Sequence, residues 1–278
     1  MSDVPWLSLL GAFLAALVAG AMNSIAGGGT LLTFPVLIAL GLDEKVANIT
    51  STLGLWPGSL GGAWGYRQEV AQTGRQFWPF FVPSLVGGAV GAGLLLGTSN
   101  ASFKALVPWL ILTATVLFMF QGLLARRQAR ALNQAGNSQD TPLPSVTTGD
   151  RPWVRVVLLQ FLVAVYGGYF GAGIGILMLA ALGFLGLRDI HEMNGLKNIG
   201  GLCINGVAIL IFLTAGLTSN LGVIHWPTVG VMALGAVLGG YGCTGLARRI
   251  GPTRVRRVVV VIGLLGAAWT GWRWWLGI

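Results

Sequence analysis

Lys197 sits three residues after Asn194 and one before Asn198, a spacing that puts all three side chains on one face of a helix. It is the one charge set inside a predicted membrane span. An ammonium beside neutral amides is a group that can hold an anion. The competing reading is a lysine whose stem lies along apolar surface while its head reaches the interface. Two glycine runs complete the chemistry. "AGGGT" (Ala26–Thr30) and "GAGIG" (Gly171–Gly175) interrupt stretches that are otherwise oily. Glycine tolerates φ > 0 and lets a ligand approach the backbone. A helix that restarts after such a break presents free N–H groups and the positive end of its dipole. The predicted binding set is Asn23, Gly27, Gly28, Gly29, Thr30, Asn48, Thr52, Gly173, Gly175, Asn194, Lys197 and Asn198. Taken singly, each glycine also reads as helix packing and each amide as helix–helix glue. Gly87, Gly91, Gly239 and Gly240 read as packing outright.

The acids narrow the substrate. All eight fall in loops, termini or segment edges. A cation site in a membrane usually needs a carboxylate there, so an anionic or neutral substrate is expected. No zinc-type spacing, P-loop, HExxH or GxSxG occurs. His191 and His225 fall on opposite predicted sides and no acid pair exists. No enzyme activity, catalytic residue, metal or cofactor is expected. Cys203 and Cys243 read as small buried hydrophobes.

The elements that must position these groups follow from composition. The chain has 278 residues, 54% hydrophobic and 9% charged, against about 25% charged in ordinary globular chains. Apolar segments fall at 6–42, 46–66, 77–97, 103–124, 153–187, 193–217, 226–247 and 258–275. This predicts an all-α, polytopic integral membrane protein. Met1 to Pro5 carry Asp3 and no basic residue, so no cleaved leader is expected. The first and fifth segments are too long for one span, and each carries a glycine break near its middle. Arginines cluster between segments two and three, around 126–155, at 188 and at 248–257. The positive-inside rule places those regions in the cytoplasm only if each broken segment starts and ends on one side. Each half is then a glycine-broken hairpin plus three transmembrane helices, and the halves have opposite topology. Residues 1–125 form the first membrane repeat, 126–152 a cytoplasmic linker and 153–278 the second repeat. Both termini are expected outside. The second arms, 31–42 and 176–187, span about 18 Å as helix, short of the ~30 Å hydrocarbon core. They are expected to be half-helices. The net charge of +9 sits where membrane topology requires it, so no nucleic-acid partner is expected. The expected partners are a small anionic substrate and membrane lipid; an oligomer is compatible with the sequence.

The halves also match in letters. "GLDEKVANITSTLG" (Gly41–Gly54) parallels "GLRDIHEMNGLKNIG" (Gly186–Gly200), and "IAGGGTLLTFPVLIAL" parallels "FGAGIGILMLAALGFL". Repeats with broken helices point to a transporter, with the breaks at its binding site. With these stretches in view, the chain resembles the sulfite exporter TauE/SafE family, also called the toluenesulfonate uptake permease family. The resemblance covers essentially the whole chain. The second copy departs from the pattern with Ala180 in place of Pro35 and with "GAGIG" for three consecutive glycines. The resemblance implies an inner-membrane carrier of sulfite, sulfonates, sulfoacetate-like compounds or related organic acids. An anion channel on the same scaffold shares every motif.

Overall fold

The computed structural model describes residues 6–25, 28–65, 78–135, 152–184, 190–218, 222–242 and 252–276. Ten helices run through them: α1 (Trp6–Ile25), α2 (Thr30–Ala39), α3 (Glu44–Gly65), α4 (Trp78–Gly97), α5 (Asn100–Ala135), α6 (Pro152–Tyr169), α7 (Ile174–Phe184), α8 (Ile190–Thr218), α9 (Trp226–Gly242) and α10 (Pro252–Leu276). No strand occurs among the described residues. The predicted breaks are real: α1 stops before Gly28 and α6 before Gly171. The arms that follow, α2 and α7, have 10 and 11 residues. That is about 15 Å of helix, half a hydrocarbon core. Two of the boundaries that differ from the sequence reading bear on the linker and on Lys197. Helix α5 continues to Ala135, so the first ten residues of the expected linker are helical. Helix α8 starts at Ile190, which puts Lys197 two turns in rather than one.

The outward faces are oily. Val82, Val86, Val90 and Leu94 recur every four residues on α4, as do Leu10, Leu14 and Val18 on α1, and all are exposed. Such stripes would aggregate in water; they fit hydrocarbon. Trp6–Asn23, Phe80–Gly97 and Met193–Leu217 are each long and apolar enough to span a bilayer. The protein is an all-helical, multi-pass membrane protein. Exposed Trp272, Trp274 and Trp275 gather at the end of α10, and the Arg273 guanidinium lies 5.2 Å from the Trp269 ring, as an interfacial belt requires.

The inward faces carry small residues, which let backbones approach where lipid offers no hydrophobic drive. A methyl group on Gly87 would stand 2.6 Å from Ala164 Cβ, and one on Gly235 2.6 Å from the Phe13 carbonyl. These seams fix direction. Ser84, Gly87 and Gly91 of α4 meet Gln160, Ala164 and Gly168 of α6, so the two helices run parallel. Phe13 and Leu17 of α1 meet Gly235 and Gly239 of α9, also parallel. Thr50, Gly54 and Gly58 of α3 meet His225, just before α9, and Met232 and Ala236 of α9, and Phe80 and Gly88 of α4 meet Gly200 and Ile204 of α8. Exchanging the halves therefore turns the α1–α9–α3 stack into the α6–α4–α8 stack. Helices α3 and α8 cross each other, pinned by Trp56 Nε1 donating to the Leu202 carbonyl at 3.1 Å. Helices α5 and α10 pair antiparallel, Pro108 against Gly271 and Thr115 against Gly263.

Candidate functional site

Both glycine breaks face one cavity. Its volume is about 80 Å³ and its described wall comprises Asn23, Gly28, Thr30, Gly58, Ser59, Gly171, Gly173, Ile174, Gly175, Met178, Lys197, Asn198, Gly201, Leu202 and Asn205. At about 15 Å³ per water, that is room for about five waters or a small oxyanion. The two halves contribute matched positions: Gly28 with Gly173, Thr30 with Gly175, and Ser59 with Asn205.

Each break is built locally. Gly28 (φ 89°) and Gly173 (φ 78°) are left-handed, as is Gly171 (φ 77°), a region side chains avoid. The left-handed residue turns the chain, and α2 and α7 restart with their first residues on the cavity wall. Gly29 is right-handed helical instead (φ −56°). Its N–H donates to Asn23 Oδ1 at 2.7 Å, which satisfies one orphan donor of α2. That bond also orients the amide: with Oδ1 on a backbone N–H, the other end, Nδ2, is a donor. At the second break the Tyr166 hydroxyl donates to the Ala172 carbonyl at 2.9 Å, and the N–H groups of Ile176 and Leu177 return to the Gly173 carbonyl. Among the described residues no acceptor takes the Gly175 N–H. The far end of α2 closes with Gly41 at φ 93°, Gly41 N–H on Ile38 O and Leu42 N–H on Leu37 O, a Schellman cap.

Lys197 is buried, at 5% exposure. Its ammonium donates to Asn194 Oδ1 at 3.1 Å. Its stem crosses the start of α7, with Cδ 3.2 Å from where a Gly175 methyl would be. A glycine here is what lets the lysine lie over the helix N-terminus. Cation, uncapped N–H and amide donors thus converge.

Seven of the twelve predicted residues line the cavity: Asn23, Gly28, Thr30, Gly173, Gly175, Lys197 and Asn198. Four stand behind it. Gly29 holds Asn23, and Asn194 holds Lys197. Asn48 is buried on α3 and donates through Nδ2 to the Tyr169 carbonyl at 3.0 Å, capping the end of α6 from the opposite half. Thr52 donates to the Asn48 carbonyl at 2.9 Å. Gly27 lies outside the described residues, as do the His191 side chain and the Arg248–Arg257 run except for the helical backbone from Pro252. Sequence reasoning missed Gly58, Ser59, Gly171, Gly201, Leu202, Ile174 and Met178, and did not place Asn205 in the set. The repeat offers a signal for two of them, because Ser59 and Asn205 occupy equivalent positions in the two halves. Gly171 belongs to the marked GAGIG run; the rest are apolar or glycine and carry no sequence mark.

The wall joins a lysine and neutral donors to two helix starts. That suits an anion and lacks any described acid. Comparison with known proteins agrees with a transport role. The chain is 26% identical over 260 residues to a protein of Haemophilus influenzae named "Probable membrane transporter protein", covering 92% of this chain and 91% of that one. It is 25% identical over 268 residues to "Probable membrane transporter protein ORF9" of Sinorhizobium sp, covering 95% and 92%. It is 27% identical over 266 residues to "Probable membrane transporter protein YfcA" of Escherichia coli K12, covering 92% and 87%. No solved structure matches it. These names point to a transporter rather than an enzyme. The model of the family described as "Sulfite exporter TauE/SafE" matches residues 12–270, from α1 through both breaks to α10, and the chain belongs to that family.

Proposed function

We propose that the protein is a secondary carrier of small sulfur-containing oxyanions, such as sulfite and small sulfonates, or of related organic anions. They bind in the cavity between the two breaks and cross by alternating access. The observation that carries this reading is the shared wall: matched glycines of both halves, one buried lysine and a lining of neutral donors. A site made jointly by two related halves is what a rocking or gating motion of one half against the other can expose to either side. The parallel seams support inverted repeats, because the α1–α9–α3 stack runs one way and its counterpart α6–α4–α8 runs the other, joined to it by the short α8–α9 connection. In this arrangement the protein lies in an inner membrane with both termini external and residues 126–152 cytoplasmic, between repeats at 1–125 and 153–278. The test is a proteoliposome uptake screen of sulfite, thiosulfate, taurine, sulfoacetate and non-sulfur organic anions. Saturable uptake with counterflow is the expected result. Unitary currents without counterflow would instead identify an anion channel on this scaffold, and accumulation of no anion in the panel would overturn the reading.

A further inference from the structure

The part of the wall that the second half contributes is ordered from end to end. Helices α7 and α8 run antiparallel along it and meet in three rungs. In the first, the Lys197 stem lies over Gly175, its Cδ 3.2 Å from where a methyl on that glycine would stand. In the second, a methyl on Gly201 would meet Met178 Cε at 3.7 Å and Ile174 Cδ1 at 4.0 Å. In the third, Asn205 Oδ1 lies 3.9 Å from the methyl position of Gly171. All of these residues line the cavity. The order is cation, apolar surface, amide. Lys197 and Asn205 stand eight positions apart on α8, about 12 Å along its axis. That is too long for one inorganic oxyanion to touch both ends, but a short organic chain can. Asn205 is partly exposed, and among the described residues its amide has no hydrogen-bond partner. Its repeat equivalent, Ser59, is already committed and donates to the Leu55 carbonyl at 3.4 Å. The Asn205 amide therefore keeps both a donor and an acceptor for a ligand.

We propose that Asn205 is a specificity-determining residue, reading the far end of an organic anion whose sulfonate head sits at Lys197 and favouring a tail that ends in a hydroxyl. This rests on the carrier reading and names a substrate class within it: short-chain sulfonates with a terminal hydroxyl, their carbon chain lying along Ile174 and Met178. Inorganic oxyanions use the Lys197 end alone. A tail ending in methyl displaces water from the amide without replacing its hydrogen bond, which lowers affinity.

Pentanesulfonate and ω-hydroxybutanesulfonate test it, because they match in length and differ only in a terminal methyl or hydroxyl. Uptake of each, and of sulfite, is measured in proteoliposomes holding the full chain. The parent is expected to favour the hydroxyl probe about tenfold in kcat/KM. Asn205→Leu should abolish or invert that preference through KM, with sulfite uptake at the parent's level. Asn205→Ser, which installs the hydroxyl found at the repeat-equivalent place, should keep part of the preference and supplies the same readout if the leucine variant does not fold. A preference absent from the parent, or unchanged in the variants, overturns the role of Asn205 while leaving the anion site standing. Sulfite uptake with neither probe carried does the same. Uptake of none of the three overturns the carrier reading itself, and the role of Asn205 falls with it.

Discussion

Gly175 and Lys197 occupy adjoining space so closely that one methyl group decides between them. A Cβ at position 175 would stand 3.2 Å from Lys197 Cδ and 3.6 Å from its Cγ. The obstacle is a flexible stem rather than backbone, and Gly175 is not left-handed. Gly175→Ala should therefore fold normally but displace the ammonium. We expect a raised KM for the transported anion, by about three- to tenfold, with unchanged expression and thermal midpoint. A normal KM would separate the lysine's position from anion binding. Lys197→Gln should cost on the order of 100-fold in kcat/KM. Lys197→Arg should retain part of the activity, because its planar fork cannot follow the same path across α7.

The left-handed glycines should respond differently from one another. Alanine at φ near +80° costs about 1–2 kcal/mol from the backbone alone. At Gly173 the nearest atom, Ala114 Cβ, is 3.6 Å from the new methyl, so little is added. At Gly28 the methyl would also meet Phe118 Cε2 at 2.8 Å. Gly28→Ala should thus be the more damaging, and Phe118→Leu should partly restore it while leaving Gly173→Ala unchanged. Uptake rate and folded yield of the four variants check this.

Packing glycines are not mild controls. At Gly87, a packing glycine, the Phe161 carbonyl at 2.7 Å and Ala164 Cβ at 2.6 Å leave no room for a methyl group. Gly87→Ala should lower the folded yield itself. Gly93, with nothing within 4 Å of its methyl position, is the appropriate silent site, and Gly93→Ala should transport like the parent.

Asn23 has two separable duties. Its Oδ1 accepts from the Gly29 N–H, and the residue itself, whose Nδ2 is a donor, lines the cavity. Asn23→Ala loses both and should cost about 1 kcal/mol of stability. Asn23→Asp keeps an acceptor on the Gly29 N–H, at a helix start that favours negative charge, but puts a carboxylate beside an anion site. Its thermal midpoint should equal or exceed the parent's while uptake is lost. Parent-like uptake by Asn23→Asp would remove Asn23 from the anion's surroundings.

Topology is tested by impermeant thiol labelling. A cysteine at Ser138 should react only from the cytoplasmic side and one at Ser2 only from outside, in a background lacking Cys203 and Cys243. Labelling of both from one side would break the inverted arrangement.

The sequence by itself determined the membrane class, the two breaks and their pairing. Those features are local: hydrophobic run length, charge placement and glycine runs where a helix cannot continue. It also picked out Lys197, because a charge among apolar neighbours is conspicuous in one dimension. What it left open was which polar groups face the cavity. Asn48 and Asn194 align when the two halves of the sequence are matched, yet one caps Tyr169 across the halves and the other steadies Lys197. Likewise Gly28 and Gly29 are neighbours of one type, but only Gly28 is left-handed and on the wall. Only the tertiary structure decided these matters. The direction a side chain faces depends on the rotation of its helix against partners far away in sequence, and in this fold glycine seams such as Gly87 on Ala164 and Gly235 on Phe13 set that rotation.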